Sequence, residues 1–223
     1  MNVPETIDFL RRNALTYCGR PGKLEVVHEC VKRVEAASIP GIMVEAGVAM
    51  GGSAIVIAKT KSPQRELRLY DVFEMLPPPA ANDDAKSHEV YQNFLAGKVS
   101  AAVDRNYVGH AKDLLSFTRD NMKRTGVDPE ALNIRFVKGL YEDTLRVDEP
   151  VAFAHIDCDW YDSVKLCIER LADRMSEGGV MLFDDYHSFQ GCRKAVDEWL
   201  PTDPRFRIVH ADWTVAIQRV AAS

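Results

Sequence analysis

The chain has 223 residues, of which 46% are hydrophobic and 27% are charged, and its formal net charge at pH 7 is −5. This length and composition fit one large domain with a full apolar core, so we expect a single domain over residues 1–223. Because the net charge is acidic and Lys and Arg form no long run, we expect neither nucleic acid nor an anionic membrane as a partner.

Residues 1–40 are predicted to form a helical N-terminal extension. Residues 1–12 contain four charged side chains and lack the apolar segment of a signal peptide, and no run in the chain reaches the roughly 18 apolar residues of a membrane helix. We therefore expect a cytoplasmic protein whose five scattered cysteines are reduced. Residues 24–37 repeat apolar side chains at intervals of three and four, which predicts an amphipathic helix.

Beyond this helix, short apolar runs alternate with segments of helical periodicity. The runs predict five strands, at residues 42–46, 67–72, 134–137, 151–156 and 180–183. The predicted helices that accompany them span residues 54–59, 104–125, 163–175 and 192–200. Strands that alternate with helices at this spacing indicate a parallel sheet flanked by helices.

A proline-rich segment at residues 77–84 follows the second predicted strand. Its three successive prolines exclude a helix or a central strand there. Such a loop suits either an active-site lid or an ordinary surface loop, and we predict a possible lid over residues 73–100.

The pattern changes after Pro204. Residues 205–210 and 214–220 are two strand-like runs joined by a short turn, which predicts an antiparallel hairpin. A mostly parallel sheet with an antiparallel C-terminal hairpin is the Rossmann-like fold of class I methyltransferases, whereas NAD-binding domains usually continue with a second parallel half. The sequence therefore predicts an α/β protein of the class I methyltransferase fold.

The turn after the first strand has the composition of a ligand-binding loop. Its glycines, at residues 47–52, let the backbone approach a ligand, but their spacing matches neither the dinucleotide fingerprint nor a P-loop. Glu45 can accept from an amino group, and Ser53 can donate to a carboxylate. Asp71 ends the second strand, where an acidic side chain binds ribose hydroxyls. An amino acid joined to a ribose predicts S-adenosylmethionine as the cofactor.

Carboxylates follow the fourth and fifth predicted strands. Asp157 follows one apolar run, and Asp184 and Asp185 follow the other. If these strands are neighbours, the three carboxylates converge at the carboxyl edge of the sheet, where α/β proteins bind ligands. Buried carboxylates repel one another unless a cation joins them, and an all-oxygen set suits Mg²⁺ or another hard divalent cation. The alternative is that these side chains only cap the helices that follow.

Five segments resemble the macrocin O-methyltransferase family, and the resemblance covers residues 15–220. They are VEAGVAMGGS at 44–53, DVFE at 71–74, KGLYEDTL at 138–145, HIDCDWYDS at 155–163 and DDY at 184–186. Enzymes of this family methylate sugar hydroxyls of macrolide, aminocoumarin and related glycosides with S-adenosylmethionine and Mg²⁺. The resemblance implies the same cofactor and metal, a glycoside acceptor and a homo-oligomer. Val72 and Met75 replace the more usual Ser and Gly, which leaves the identity of the acceptor open.

The resemblance also implies roles for individual residues. The implied metal ligands are Asp157, Asp184 and Asp185. The implied cofactor contacts are Glu45, Gly47, Ser53, Asp71 and Asp157, with Gly139 and Tyr141 near the adenine. The implied general base is Asp159, and His187 is its rival because the unperturbed pKa of histidine is closer to neutral.

The chemistry of a divalent cation limits which acceptors the protein can use. Such an ion lowers the pKa of a coordinated hydroxyl and fixes its direction, and a vicinal diol of a sugar or a catechol can occupy two coordination positions of the ion.

Three other classes of protein fit the sequence less well. A nucleotide-sugar glycosyltransferase would use Asp157-Cys158-Asp159 as its metal motif, but this class would not explain the glycine-rich turn. A haloacid dehalogenase phosphatase would have this motif on its first strand, and a non-catalytic cofactor sensor would lack the metal residues.

Overall fold

The computed structural model describes residues 1–16, 20–74, 76–96, 98 and 113–221. Its strands are β1 Ile42–Ala46, β2 Leu67–Asp71, β3 Ile134–Lys138, β4 Val151–Ile156, β5 Met175–Phe183, β6 Phe206–Ala211 and β7 Val215–Arg219. Its helices are α1 Val3–Arg12, α2 Lys23–Ala36, α3 Gly52–Thr60, α4 Ala85–Leu95, α5 Leu114–Arg124, α6 Tyr141–Thr144, α7 Tyr161–Leu171 and α8 Gln190–Trp199. Short 3₁₀ turns occupy Ala172–Arg174 and Leu200–Thr202. Within these described ranges, no helix has the length and apolarity needed to cross a bilayer.

The strands form one mixed sheet in the order β3-β2-β1-β4-β5-β7-β6. Strands β1 to β5 run parallel, while β7 pairs antiparallel with both β5 and β6. The predicted class I methyltransferase arrangement, including the C-terminal hairpin, is confirmed. The strand order reverses between β1 and β4, so a crevice opens at the carboxyl ends of these two strands.

Strand register brings the predicted site residues to this crevice. Ala46 of β1 pairs with Ile156 of β4, and Ile156 pairs with Phe183 of β5. The next residues along the three strands are Gly47, Asp157 and Asp184. The glycine-rich turn and both acidic motifs therefore leave the sheet side by side.

Helices cover both faces of the sheet because its central strands are apolar on both sides. All five residues of β1 and all six residues of β4 are buried, as expected of the central strands of a parallel sheet. Helices α1, α2, α3 and α5 pack on one face, and α7 and α8 pack on the other. The apolar side of α2 consists of Leu24, Val27, Val31 and Val34, as its spacing predicts.

Strand β5 is longer than the predicted segment at residues 180–183. It begins at Met175 and passes through Gly179. A Cβ on Gly179 would lie 2.8 Å from the carbonyl oxygen of Ser176 and 3.0 Å from that of Ala152. Glycine permits this close backbone contact, but it interrupts the apolar pattern from which the strand was predicted.

Helices α4, α5 and α7 differ most clearly from the sequence-based predictions, and α6 was not predicted. Helix α7 starts two residues before the predicted segment at residues 163–175 and ends four residues before its end. Helix α5 forms the latter part of the predicted helix at residues 104–125, while residues 104–112 lie outside the described residues. Helix α4 lies within the predicted lid and was not predicted, because Ser87 is its buried residue and it has no apolar stripe.

The substitution Gly47→Ala tests the close contact between β1 and β4. Gly47 has a φ of +90°, and a Cβ there would lie 1.8 Å from the carbonyl oxygen of Asp157, so the two strand ends would have to separate. Gly126 is the matched control, since its φ of +76° is also left-handed but its Cβ would meet nothing within 4 Å. We expect Gly126→Ala to lower the free energy of unfolding by about 1 kcal/mol and Gly47→Ala to lower it by at least about 3 kcal/mol. Urea denaturation measures both losses, and equal losses would contradict the contact.

Candidate active site

A cavity of about 360 Å³ opens at the carboxyl edge of the parallel strands. The predicted site residues that line it are Gly47, Asp71, Tyr141, Asp157, Asp159, Asp184 and Asp185. The predicted convergence of the two acidic motifs is therefore confirmed. Four other predicted site residues are not among the described residues that line the cavity, namely Glu45, Ser53, Gly139 and His187.

Of the carboxylates after β4 and β5, Asp184 and Asp185 are buried, whereas Asp157 is half-buried. Asp184 is 2% exposed and Asp185 is 5% exposed. Burial, followed by the charges of Asp184 and Asp185, raises the pKa of Asp157 well above its ordinary value. Burial and the charge of Asp184 also raise the pKa of Asp185. These side chains therefore cannot all stay ionised without a compensating positive charge.

Lys23, the first residue of α2, supplies one such charge. Its Nζ lies 2.5 Å from Asp184 Oδ2, 2.9 Å from the Asp184 carbonyl oxygen and 3.9 Å from Asp185 Oδ1. Burial by itself would raise the pKa of Asp184, but His155 and Lys23 outweigh burial and lower it. Our sequence analysis missed Lys23 because 161 positions separate it from Asp184 and no local motif marks it.

A buried pair of His155 and Glu45 adjoins the same carboxylates. His155 Nδ1 lies 2.8 Å from Glu45 Oε1, and His155 Nε2 lies 3.8 Å from Asp184 Oδ1. Burial by itself would lower the pKa of His155, but the carboxylates of Asp184 and Glu45 outweigh burial and raise this pKa to about 10. The ring is therefore positively charged at neutral pH. Glu45 is 0% exposed. Glu45 Oε1 is paired with His155, but its buried Oε2 has no hydrogen-bond partner among the described residues, so the contact of Glu45 with the cofactor stays a prediction.

The arrangement of donor atoms fits a hard cation. Asp184 Oδ1 and Asp185 Oδ2 are buried and have no hydrogen-bond partner within the part of the chain that the structure describes. Ligand atoms of His155, Asp157 and Asp184 lie within 4.8 Å of one another. His155 Nε2 also lacks a hydrogen-bond partner among the described residues, and it could bind an ion only after losing its proton. Buried oxygens almost always have partners, so these two point to a cation that binds oxygen, such as Mg²⁺.

Asp71 organises the glycine-rich turn. Its Oδ2 accepts from the backbone amides of Val48 at 2.7 Å and Ala49 at 2.9 Å, and its Oδ1 accepts from the amide of Phe73 at 2.6 Å. A carboxylate has about four acceptor positions, so these amides leave roughly one for a ribose hydroxyl. Asp71 thus fixes the shape of the turn, and its contact with a ribose stays a prediction.

The two predicted bases occupy different places. Asp159 lines the cavity, and burial together with the charge of Asp185 raises its pKa well above the ordinary value. His187 is exposed, lies outside the described lining and stacks edge-on against Tyr186 with the ring centroids 4.9 Å apart. The structure therefore places Asp159, but not His187, among the residues that line the cavity, and the choice of base stays a prediction.

A glycine-rich turn after β1, an acidic residue at the end of β2 and an antiparallel C-terminal hairpin together define a class I methyltransferase fold. Solved structures agree with this assignment. The O-methyltransferase NovP matches with a TM-score of 0.72 and 25% identity, over 89% of this chain and 79% of that chain. CalS11, a calicheamicin methyltransferase, matches with a TM-score of 0.62 and 15% identity, over 97% and 91% of the two chains, and supports the fold alone.

The family model for macrocin-O-methyltransferase matches residues 7–217. The chain therefore belongs to the macrocin-O-methyltransferase family, as its motifs predict. It is 29% identical over 183 residues to the 8-demethyl-8-(2,3-dimethoxy-alpha-L-rhamnosyl)-tetracenomycin-C 4'-O-methyltransferase of Streptomyces olivaceus, covering 79% of this chain and 64% of that protein. It is 26% identical over 205 residues to the demethyldecarbamoylnovobiocin O-methyltransferase of Streptomyces niveus, covering 88% of this chain and 70% of that protein. The match thus spans about two thirds of the length of these relatives.

The substitution Lys23→Met tests the charge compensation of the acidic cluster. We expect it to lower the free energy of unfolding by about 3–5 kcal/mol in metal-free buffer, because it leaves Asp184 buried without its ammonium partner. Lys32→Met is the control, since it removes an ion pair with Glu29 whose side chains are 62% and 51% exposed. The control should change the free energy of unfolding by less than about 0.5 kcal/mol. Urea denaturation in excess chelator makes the comparison, and similar small losses in both variants would rule out this role for Lys23.

Proposed function

We propose that this protein is a cytoplasmic O-methyltransferase that uses S-adenosylmethionine and a divalent cation, expected to be Mg²⁺, to methylate a sugar hydroxyl of a natural-product glycoside. The observation that supports it most strongly is the meeting, in one cavity, of the glycine-rich turn with the carboxylates of Asp157, Asp184 and Asp185. The relatives named above are O-methyltransferases of a rhamnosyl tetracenomycin and of a novobiocin precursor, which agrees with the proposal. Assembly as a homo-oligomer stays a prediction.

The cofactor side of the cavity is formed by the turn after β1 and by the ends of β2 and β3. Gly47 lines the cavity, and Asp71 keeps roughly one acceptor position for a ribose hydroxyl. Leu140 and Tyr141 add an apolar wall against which a purine can pack. S-adenosylmethionine, when bound, supplies an electrophilic methyl group for attack by oxygen.

The metal side is formed by Asp157, Asp184 and Asp185, whose oxygens would hold the ion. A bound divalent cation lowers the pKa of an acceptor hydroxyl and positions it. Lys23 binds Asp184 Oδ2 and leaves Oδ1 on the side of His155 and Asp157. Lys23 thereby orients this carboxylate as well as compensating its charge.

Asp159 removes the proton from the acceptor hydroxyl in this proposal. Its raised pKa makes it a stronger base than an ordinary aspartate, although it must be ionised to act. Trp160 and Phe189 line the same cavity, with ring centroids 5.4 Å apart in an edge-on arrangement. Their aromatic surfaces suit a sugar ring or an apolar aglycone.

Methyl transfer to a glycoside should stop in excess chelator and return when Mg²⁺ is added. Asp184→Asn should lower turnover by at least about 100-fold, while its affinity for S-adenosylhomocysteine changes by less than about threefold, because this carboxylate would contact the ion and not the adenosine. Asp120→Asn, which changes an exposed carboxylate of α5, is the control. Turnover of radiolabelled S-adenosylmethionine is measured with glycosides, nucleotide sugars and catechols as acceptors. Full activity in chelator would refute the metal requirement.

The choice of base is tested by Asp159→Asn and His187→Ala. We expect the first to lower kcat by about 10²–10⁴-fold at unchanged cofactor affinity, because it removes the proton acceptor. The second should keep most of the activity, because His187 lies outside the cavity lining. Steady-state kinetics on the same glycoside compare the two variants, and the opposite ranking would reject Asp159 as the base.

A further inference from the structure

The proline-rich segment at residues 77–84 is fastened to the loop that contains Asp159. The indole Nε1 of Trp160 donates to the carbonyl oxygen of Pro77 at 3.0 Å. The backbone amide of Tyr161 donates to Asp83 Oδ1 at 2.7 Å. Both residues that follow Asp159 are therefore held by one distant segment of the chain.

The backbone at Asp159 needs such support. Its φ is +58°, a left-handed conformation that side-chain-bearing residues seldom adopt. The amide of Trp160 donates to the carbonyl oxygen of Cys158 at 2.6 Å, which closes a tight turn around Asp159. A strained turn of this kind persists only where the surrounding structure fixes it.

Asp83 is placed to fix this turn through α7. Trp160 is the N-cap residue of α7 and makes no side-chain cap hydrogen bond, so Asp83 supplies the missing acceptor and a favourable negative charge at the helix N-terminus. Asp83 is 8% exposed, and its Oδ2 accepts from the amide of Ala80 at 2.9 Å. A Cβ on Gly191 would lie 2.2 Å from Asp83 Oδ1, so α8 also leaves space for this contact.

The same region is fastened to the loop after β5. Lys86, in the first turn of α4, donates to the carbonyl oxygen of Ser188 at 2.5 Å, and its ammonium lies 5.1 Å from the ring centroid of Phe189. The proline-rich segment and the start of α4 thus connect the loop of Asp159 with the loop that follows Asp185.

We propose that Asp83 is a positioning residue that acts through Asp159. By capping α7, Asp83 fixes the left-handed turn and so directs the Asp159 carboxylate into the cavity. This inference rests on the proposed role of Asp159 as the base. In this proposal, the proline-rich segment holds the loop that contains Asp159 in the conformation that proton removal requires.

Amide hydrogen exchange measured by NMR tests the contact without any acceptor. In Asp83→Ala, the Tyr161 amide should exchange at least about tenfold faster, whereas in Asp83→Asn the acceleration should be smaller, because asparagine keeps one acceptor oxygen for the two amides of Tyr161 and Ala80. Asp84→Ala is the matched control, because the neighbouring carboxylate caps α4 through the Ser87 amide at 2.9 Å instead. The control should leave Tyr161 unaffected. Unchanged protection of Tyr161 in Asp83→Ala would overturn the proposal.

Kinetics on a glycoside that the enzyme methylates test the action through Asp159. Asp83→Ala should lower kcat by about 10–100-fold while the KM for S-adenosylmethionine changes by less than about threefold, and Asp83→Asn should lower kcat by less than Asp83→Ala does. In an Asp159→Asn background, Asp83→Ala should change kcat by less than about threefold, since the residue through which it acts is gone. Equal losses in both backgrounds would show a merely structural role and overturn the inference. If the unaltered enzyme methylates no acceptor, the proposed function fails, while hydrogen exchange still decides whether Asp83 holds the turn.

Discussion

Burial of like charges at the ends of β4 and β5 is the constraint on which the rest of this site depends. Four carboxylates meet there, belonging to Glu45, Asp157, Asp184 and Asp185. The cations against them are Lys23 and protonated His155. These four carboxylates, with Asp159 beside them, outnumber the two cations, so the cluster carries an excess of negative charge that a bound divalent cation would offset. Burial and this excess of negative charge raise the pKa values of Asp157 and Asp185.

The residues that form this site come from different parts of the chain. Register between β1, β4 and β5 aligns the glycine-rich turn with both acidic motifs, and Gly47 lets the first two of these strands meet at their ends. The N-terminal extension is part of the site, since α2 begins with Lys23. The proline-rich segment contributes Asp83, which accepts a hydrogen bond from the backbone amide of Tyr161 at the start of α7. An active site assembled in this way depends on the packing of the whole domain.

The sequence predicted the sheet, the hairpin and the acidic cluster, because apolar runs that end in carboxylates are local patterns. It failed where the determinant is a contact between distant residues. Lys23 looks like an ordinary first residue of a helix until the fold places it beside Asp184, and Asp83 looks like any loop aspartate until it meets Tyr161. The contact of Glu45 with His155 is another that the position of Glu45 in its motif does not show. Local sequence patterns therefore predict the class of the site but not the contacts between distant residues that hold it in place.

A crystal structure with S-adenosylhomocysteine and Mn²⁺, recorded at a wavelength where manganese scatters anomalously, tests the central claim most directly. The excess of negative charge and the unpartnered oxygens predict an anomalous peak within roughly 2.0–2.4 Å of oxygens of Asp157, Asp184 and Asp185, with Lys23 still bound to Asp184. They also predict that the peak disappears in Asp184→Asn. A fully ordered cofactor with no peak among these carboxylates, or a peak elsewhere in the cavity, would contradict the account.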